Sequence, residues 1–514
     1  MTNFRKIAAL LLAAAMVFAI TACGKTVTYE SYYSYEDDTT VVDKEASDTA
    51  SETASETASE TASATASQTA SKDQTASNTP AGGNAIVTPG ENQNAKAWGI
   101  KESSKGIDDT VDLKGKTLRM LCWSGSNYTS AKFQRTVKAF EKKYGCTVKI
   151  DRAAFGTDYV NAVRNSIAAK KPYDIVFMHA SWSYDSIAAN LYNPLNDTLT
   201  TADLLDSNNK GIDLDKSTEI SWNGKIYGVC GFDAVNPMLI YYNKVMFDEA
   251  GLEDPRTLYN QGKWTWDKFF ELGSKVTDAS NDKWFGEYNF YRAEICATFG
   301  GSPITIVNGV PTVTIDSNKY IAGMKNISKL GSGATKIIRT QTSEDQLQNF
   351  LDGKFYVYTE ESDRYTTIME TIDTCNAFRR SGSNLGIVPF PLGDTNTEGA
   401  YPTGWIECAC SPLGSNPQYA VAWMQFKSTY NDPVKTDKTQ FNTADQKMID
   451  KLLAKILPRR CSYSGGGDLS AAALEWNLVT EAARGNDLTY YINMYKPLMQ
   501  ANIDATLKQL KNVK

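Results

Sequence analysis

The chain has very little of the side chain on which most hydrolytic mechanisms depend, because His179 is the one histidine among 514 residues. A serine–histidine–acid mechanism would have to use that residue, and nothing in the surrounding sequence supports such a role. A Gly-x-Ser-x-Gly elbow, an HExxH zinc motif and a phosphate-binding glycine loop are also missing. These absences argue against a serine hydrolase, a zinc protease and a nucleotide-binding enzyme.

The chain also lacks an excess of positive charge, and its cysteines are not spaced as metal ligands are. Lysine and arginine number 53 against 59 acidic residues, for a formal net charge of −6, which argues against a nucleic-acid partner. The cysteines lack zinc-finger spacing, so neither a metal nor a cofactor is expected. Besides Cys23 there are eight cysteines, and we expect most to be buried thiols. An even number in an exported chain also permits disulfides.

Long apolar runs are confined to the start of the sequence. Residues 7–20 carry no charge and follow Arg5 and Lys6, but the run is too short to span a bilayer comfortably. It ends in Ile20-Thr21-Ala22-Cys23-Gly24, which resembles the lipobox of bacterial lipoproteins. This predicts a signal peptide over 1–22 and a lipid anchor at Cys23 on the extracytoplasmic face of a Gram-positive cell membrane. The alternative is an ordinary cleaved signal peptide with a chance cysteine.

The next segment, 23–113, has almost no hydrophobic periodicity. Its middle repeats Thr-Ala-Ser-Glu three times from Thr49 to Glu60, with looser copies continuing to Pro80. A repeat without large apolar residues cannot bury enough surface to offset chain entropy, so we predict a disordered tether. About 75 flexible residues would have an r.m.s. span of roughly 45–50 Å. A charged, solvated helix is the alternative.

The body, 114–514, has the pattern of an α/β protein. Strands are predicted at Thr117–Trp123, Thr147–Ile150 and Asp174–Met178, with helices at Ala131–Tyr144 and around Tyr159–Ile167. This alternation is typical of a parallel sheet, in which ligands lie beyond the carboxyl ends of the strands. The loops after the first and third strands therefore lie at the expected ligand edge. About 400 residues also exceed one hydrophobic core, which favours two lobes.

Short motifs in a fixed order carry a family resemblance over nearly the whole body. They are Pro172–Phe177, Leu191–Leu195, Trp222–Val229, Leu239–Lys244 with Phe247 and Gly251-Leu252, Gly262–Phe269, Phe350 with Gly353–Thr359, Gly386–Pro391 and Ser411-Pro412 with Asn416–Trp423. None is specific alone, but the ordered set resembles the family 1 extracellular solute-binding proteins of ABC importers.

That resemblance implies a two-lobed, type II periplasmic-binding-protein-like fold that closes on its ligand. Lobe one would comprise 114–232 and 407–462, and lobe two 233–406 and 463–514, with crossings near Phe232–Ala234 and Gly404–Ile406. The resemblance also implies a monomer without enzymatic activity. It would capture a mono- or oligosaccharide and deliver it to the permease subunits of an ABC importer.

Candidate ligand contacts combine aromatic faces, which stack on sugar rings, with polar groups that pair with hydroxyls. They lie at the sheet edge of lobe one, at the crossings, or where the family places ligand contacts in lobe two: Trp123, Ser126, Met178, His179, Ser181, Trp182, Asp233, Asn236, Tyr288, Tyr291, Glu360, Glu361, Trp405 and Glu407. Structural roles remain open. Trp123 could pack under its loop, Asp233 could form a hinge salt bridge, and Glu360-Glu361 could cap a helix.

Three other functions remain open at this point. The same architecture could bind a peptide or an anion. An exported glycoside hydrolase could use Glu360, Glu361 and Asp233, although adjacent glutamates on a strand normally point to different sides. A structural or adhesive surface protein would suit the Thr/Ser-rich segment, but the body has the pattern of a protein that closes around a ligand.

Overall fold

The computed structural model describes residues 95–124, 128, 130–179, 182–208, 210–218, 220–232, 236–307, 310–341, 345–402, 407–432, 441–453, 455–457 and 471–513. The predicted signal peptide, Cys23 and the repeat segment lie outside the described residues. So do the predicted ligand contacts Ser126, Ser181, Asp233 and Trp405, and the side chain of Glu407.

The helices and strands of the described residues are numbered here in chain order. The helices are α1 (Ile107–Thr110), α2 (Ala131–Tyr144), α3 (Thr157–Ala168), α4 (Ser183–Ala188), α5 (Leu214–Thr218), α6 (Lys244–Glu249), α7 (Pro255–Asn260), α8 (Trp266–Val276), α9 (Glu294–Thr298), α10 (Asn318–Gly331), α11 (Gln346–Leu351), α12 (Arg364–Thr371), α13 (Pro417–Thr429), α14 (Thr443–Leu453), α15 (Ala471–Ala483) and α16 (Leu488–Leu510). The strands are β1 (Thr117–Trp123), β2 (Thr147–Ala153), β3 (Ile175–His179), β4 (Ser221–Trp222), β5 (Lys225–Ile226), β6 (Met238–Asn243), β7 (Ile304–Val307), β8 (Val310–Val313), β9 (Val357–Glu361), β10 (Leu385–Pro389), β11 (Tyr401–Pro402), β12 (Glu407–Cys410) and β13 (Ile456–Leu457).

The first lobe is built on a four-stranded sheet in the order β12-β3-β1-β2. Strands β1, β2 and β3 are parallel, as predicted, and β12 returns antiparallel to β3. The apolar faces of β1 and β3 lie in the first core, with Met120, Ile175 and Val176 fully buried. The parallel strands therefore end together at one edge, where the sequence placed the ligand.

Helix α2 shows why its sequence predicted both ends correctly. The Ser130 side chain accepts a hydrogen bond from the Phe133 amide at the start, and Gly145 takes a left-handed conformation with φ 65° at the end. Between them, Val137 and Phe140 face the first core. The helix begins directly after the β1 loop, so its first turn lies at the ligand edge.

The second lobe contains a three-stranded antiparallel sheet in the order β10-β6-β9. Alternate residues of β6 enter different cores: Met238, Ile240 and Tyr242 enter the second core, while Leu239 and Tyr241 enter the third. Burial on both faces explains the continuous apolar run of this strand. The α/β class predicted from the sequence is therefore confirmed.

Helix α14 departs from the lobe division drawn from the sequence. That division assigned 407–462 to lobe one, but Met448, Ile449 and Leu452 of α14 lie in the third core of the second lobe. The ion pair between Arg256 and Asp445, at 2.8 Å, attaches the same helix to α7. Its apolar stripe packs on a sheet face of the second lobe, so α14 belongs to lobe two.

The predicted tether was drawn too long at its carboxyl end. Residues 95–113 pack on the first lobe, where Ile107 and Leu113 are buried in the first core. The backbone amide of Ile107 donates to Asp203 at 2.5 Å, and the Asn196 side chain donates to the Trp98 carbonyl at 2.7 Å. Isolated apolar residues in a polar segment gave no periodic signal, which is why the sequence prediction missed this contact.

Two expectations from the sequence concern the cysteines and membrane-spanning helices in the described part of the chain. The seven cysteines that the structure describes are buried, and none is in a disulfide. No helix among the described residues combines the length and the apolar character needed to cross a bilayer.

Candidate functional site

The site begins at the carboxyl ends of β1 and β3, where four rings form what we call the aromatic cluster: Trp123, Phe155, His179 and Trp182. The ring centroids of Trp182 and Phe155 lie 4.7 Å apart, and those of Trp182 and His179 lie 5.1 Å apart. Trp123 meets Phe155 edge-on at 5.5 Å. Phe155 and His179 are half-buried, so these two rings present the accessible surface of the cluster.

The two tryptophans of the cluster are packed more deeply than a stacking role requires. Trp123 is 8% exposed and Trp182 is 4% exposed. Edge-on contacts from Tyr128 at 5.0 Å and Tyr159 at 5.4 Å enclose Trp123, which favours the packing role that the sequence left open. The indole Nε1 of Trp182 is buried, and no residue that the structure describes forms a hydrogen bond with it. An unpaired buried donor costs free energy, which a rearrangement or a ligand oxygen could recover.

The sheet register places a further predicted residue beside this cluster. Glu407, the first residue of β12, lies opposite His179 in the antiparallel pairing. Met178, by contrast, is fully buried in the first core, so it supports the sheet instead of contacting a ligand. Strand residues alternate between faces, so Met178 and His179 point to opposite sides of the sheet.

On the second lobe, a charged group occupies the end of β9 and the start of α12. We call it the acid–arginine group: Arg292, Glu360, Glu361, Asp363 and Arg364. The Arg292 guanidinium donates to both carboxylate oxygens of Glu360 at 3.0 Å, and the Glu361 amide donates to Glu360 at 3.2 Å. Glu360 is thus held by an ion pair, and Arg292 was not anticipated from the sequence.

Glu361 has a different environment from its neighbour. It is half-buried, and the removal of water raises the pKa of its carboxyl well above the usual value, with the charges of Asp363 and Glu360 adding to the effect. No hydrogen bond of this carboxyl is found among the described residues. A carboxyl with a raised pKa stays protonated over a wider pH range, and the protonated form can donate as well as accept a hydrogen bond.

Asp363 shows that the two lobes face each other here. Burial raises the pKa of its carboxyl, and the positive charges of Arg364 and of Lys132 oppose that shift. Lys132 belongs to the first turn of α2 in the first lobe, so its charge acts on Asp363 of the second lobe. Asp363 is open to solvent yet surrounded by protein, as expected for a group that lines a crevice.

Other predicted contacts have mixed outcomes. The Asn236 side chain accepts a hydrogen bond from Ser362 at 3.3 Å, next to the acid–arginine group. Tyr288 is half-buried, and its ring lies 6.0 Å from that of Trp476. Tyr291 is 1% exposed and donates to the Ile338 carbonyl at 2.7 Å, so it belongs to the second core, contrary to the expectation. The sequence could not separate these two tyrosines because both lie in one aromatic run.

Phe155 and Arg292 are the residues that the sequence prediction missed. Phe155 follows β2. The predicted strand ended three residues too early, so Phe155 was not recognised as lying beyond the carboxyl end of a strand, where ligands are expected. Arg292 directly follows the predicted Tyr288–Tyr291 run, and that position was its only signal.

The chemistry available in this crevice is stacking and hydrogen bonding. Nowhere in the described part of the chain do three or more histidine, cysteine or acidic side chains group so as to hold a metal ion. A ring could lie against Phe155 and His179 while its hydroxyls meet charged and amide groups of the other lobe.

Comparison with known proteins gives a family match and a consistent fold. Residues 135–439, more than half of the chain, match the family described as bacterial extracellular solute-binding protein. No curated protein sequence matches the chain.

Similar solved structures include an ABC substrate-binding protein of Listeria monocytogenes in complex with cycloalternan, with 15% identity, a TM-score of 0.55, and coverage of 77% of this chain and 100% of that one. The GacH receptor of Streptomyces glaucescens, solved unliganded and with acarbose, has 19% identity, a TM-score of 0.54, and coverage of 78% and 100%. An ABC-transporter-associated binding protein of Bifidobacterium animalis subsp. lactis in complex with β-1,6-galactobiose has 16% identity, a TM-score of 0.55, and coverage of 77% and 98%. At these identities the likeness establishes the fold, which is the predicted two-lobed type II arrangement.

Proposed function

Because the chain belongs to the family of bacterial extracellular solute-binding proteins, we propose that it captures a carbohydrate outside the cell and delivers it to an ABC importer. The observation that carries the proposal is the pairing of two unlike walls across one crevice. The first lobe contributes half-buried rings and the second a charged, polar group, and the charge of Lys132 in the first lobe acts on Asp363 in the second. Carbohydrates present both an apolar ring face and hydroxyl pairs, so they match this combination.

The ligands of the similar structures support the same substrate class. Those proteins were solved with cycloalternan, acarbose and β-1,6-galactobiose, which are all built from linked rings. A mono- or oligosaccharide is therefore the first candidate. Glu360 is committed to Arg292 in an ion pair, which makes it a poor general acid and favours binding without hydrolysis.

The proposal extends to parts of the chain that the structure does not describe. Cys23 would carry the lipid anchor, and the protein would act as a monomer on the extracytoplasmic face of the membrane. Asp233 and Trp405 would contact the ligand from the two crossings, and Ser126, Ser181 and Glu407 would contact it from the first lobe.

A thermal-shift screen of residues 24–514 against mono- and oligosaccharides tests the function. A ligand that binds only the folded state at a hundred times its Kd stabilises it by about 2.7 kcal/mol, a rise of roughly 2–5 °C in Tm. Cycloalternan, acarbose and β-1,6-galactobiose would be included as probes. We expect at least one saccharide to raise Tm while chromatography of the mixture shows it unchanged.

A pair of tryptophan variants sharpens this screen. Trp405→Ala should abolish the shift without unfolding the protein. Trp284→Ala is the matched control, because its indole donates to Asp282, which is not part of the acid–arginine group. A shift that persists in Trp405→Ala would assign that residue a structural role. Products in the mixture, or binding only of peptides or anions, would contradict the carbohydrate-binding proposal.

A further inference from the structure

The last helix, α16, packs against both lobes. Its first part is held in the second lobe, where Ile492, Met499 and Ile503 lie in the second core. The Gln500 side chain accepts a hydrogen bond from the β8 amide of Val313 at 2.9 Å. Its last turn packs against the first lobe, because Leu510 is fully buried in the first core. The 23 residues of α16 extend for about 35 Å, enough to connect the two.

Two hydrogen bonds fix the end of α16 to the first lobe. The Thr506 hydroxyl, 4% exposed, donates to the Asp185 carboxylate at 2.8 Å. One turn later, the indole Nε1 of Trp222 donates to the Leu510 carbonyl at 3.0 Å. The second bond satisfies a carbonyl at the end of the helix, where carbonyls lack partners within the helix. We call these two bonds the helix clasp.

The clasp meets the first lobe on the helix that carries part of the aromatic cluster. Asp185 belongs to α4, whose N-cap is Trp182. The ring of Tyr184, also on α4, lies 6.5 Å from that of Trp222. A six-residue helix moves as one piece, so a displacement at Asp185 is transmitted to Trp182, whose indole nitrogen has no hydrogen-bond partner among the described residues.

We propose that the helix clasp is a further connection between the lobes, in addition to the passages of the chain between them, which restrains their opening and couples it to the position of Trp182. When the lobes part, α16 must bend or its last turn must leave the first lobe, so the strength of the clasp sets the population of the open form. This rests on the proposed function, since capture and release of a ligand require the lobes to move. A weaker clasp would favour the open form and faster ligand release.

The test uses residues 24–514 without any ligand, and compares the wild type with Thr506→Val. Valine keeps the shape of threonine but removes the donor to Asp185. We expect amide hydrogen exchange in 183–189 and 503–513 to become roughly three- to tenfold faster, as the loss of one hydrogen bond implies. Small-angle X-ray scattering should show a larger radius of gyration. Trp222→Phe, which removes the other donor, should act in the same direction.

Thr429→Val is the matched control, because its hydroxyl bonds within its own helix to the Gln425 carbonyl at 2.9 Å. It should leave exchange in both segments unchanged. Unchanged exchange at α4 in both clasp variants, or an equal increase across the whole chain, would overturn the proposal. Because no ligand is present, the result is independent of the saccharide screen. If a saccharide raises Tm while amide hydrogen exchange is unchanged in both clasp variants, the proposed function stands and the clasp proposal is rejected.

Discussion

Adjacent residues can serve different purposes when a strand places them on opposite sides. Glu360 and Glu361 were equivalent candidates in the sequence, yet only Glu360 meets Arg292, whereas Glu361 remains desolvated without such a partner. The alternation of strand side chains predicts this separation, but it does not predict which face has the arginine. That information depends on Arg292, which is distant in sequence.

Glu361→Gln tests the raised pKa of this carboxyl through stability. Between the ordinary pKa of 4.5 and the higher folded pKa, the folded state binds more protons than the unfolded state. Wild-type stability should therefore fall as pH rises through this range. Glutamine does not titrate, so the Tm of the variant should rise relative to the Tm of the wild type from about pH 4.5 upward.

Glu102→Gln, at an exposed glutamate of the segment 95–113, is the control for this series. Its Tm should follow the wild-type curve throughout. Parallel wild-type and Glu361→Gln curves between pH 4 and 8 would show that the Glu361 carboxyl is not desolvated.

The sequence predicted best those helices and strands that have both a regular apolar pattern and residues that mark their ends. The helix at Ala131–Tyr144 was predicted to the residue, because its apolar spacing ended at Gly145. Strand β1 was equally well defined. Helix α14 was not assigned to the correct lobe, because an amphipathic stripe shows that a helix packs without showing on which surface.

Ser130→Ala tests the N-cap that begins α2 at the ligand edge. The Ser130 oxygen accepts from the Phe133 amide at 3.1 Å, and its loss should cost about 1 kcal/mol of the free energy of unfolding. Denaturant titration would measure this cost. Ser130→Asn retains a capping oxygen and should stay within a few tenths of a kcal/mol of the wild type. Equal losses in both variants would mean that the hydroxyl has another role.

At the scale of the whole molecule, sequence order predicted two lobes but not which lobe α14 and the end of α16 contact. The family motifs are local, and each lies within one lobe. The lobe to which α14 belongs and the position of the end of α16 depend on contacts between distant segments, such as Arg256 with Asp445 and Trp222 with Leu510. The same holds for the candidate site, whose two walls come from different lobes.

The attachment of 95–113 to the first lobe gives the last prediction. Asp203 is fully buried, and its carboxylate accepts hydrogen bonds from the Ile107 amide and from the Thr200 amide and hydroxyl, at 2.5, 2.9 and 2.9 Å. Gly106 lies so close that a Cβ there would be 2.6 Å from the Asp203 oxygen. A chain beginning at Lys114 loses the burial of Ile107 and Leu113 and leaves Asp203 without the Ile107 donor.

We therefore expect the chain of 114–514 to be at least about 3 kcal/mol less stable than that of 95–514, measured by denaturant titration of both. Residues 24–514 should match 95–514, since the repeat segment makes no expected packing contribution. Gly106→Ala in the longer chain should lower stability in the same direction, because it displaces Asp203 from Ile107. Equal stability of the chains beginning at 95 and 114 would mean that the segment only rests on the surface, and the predicted tether would then extend to 113 after all.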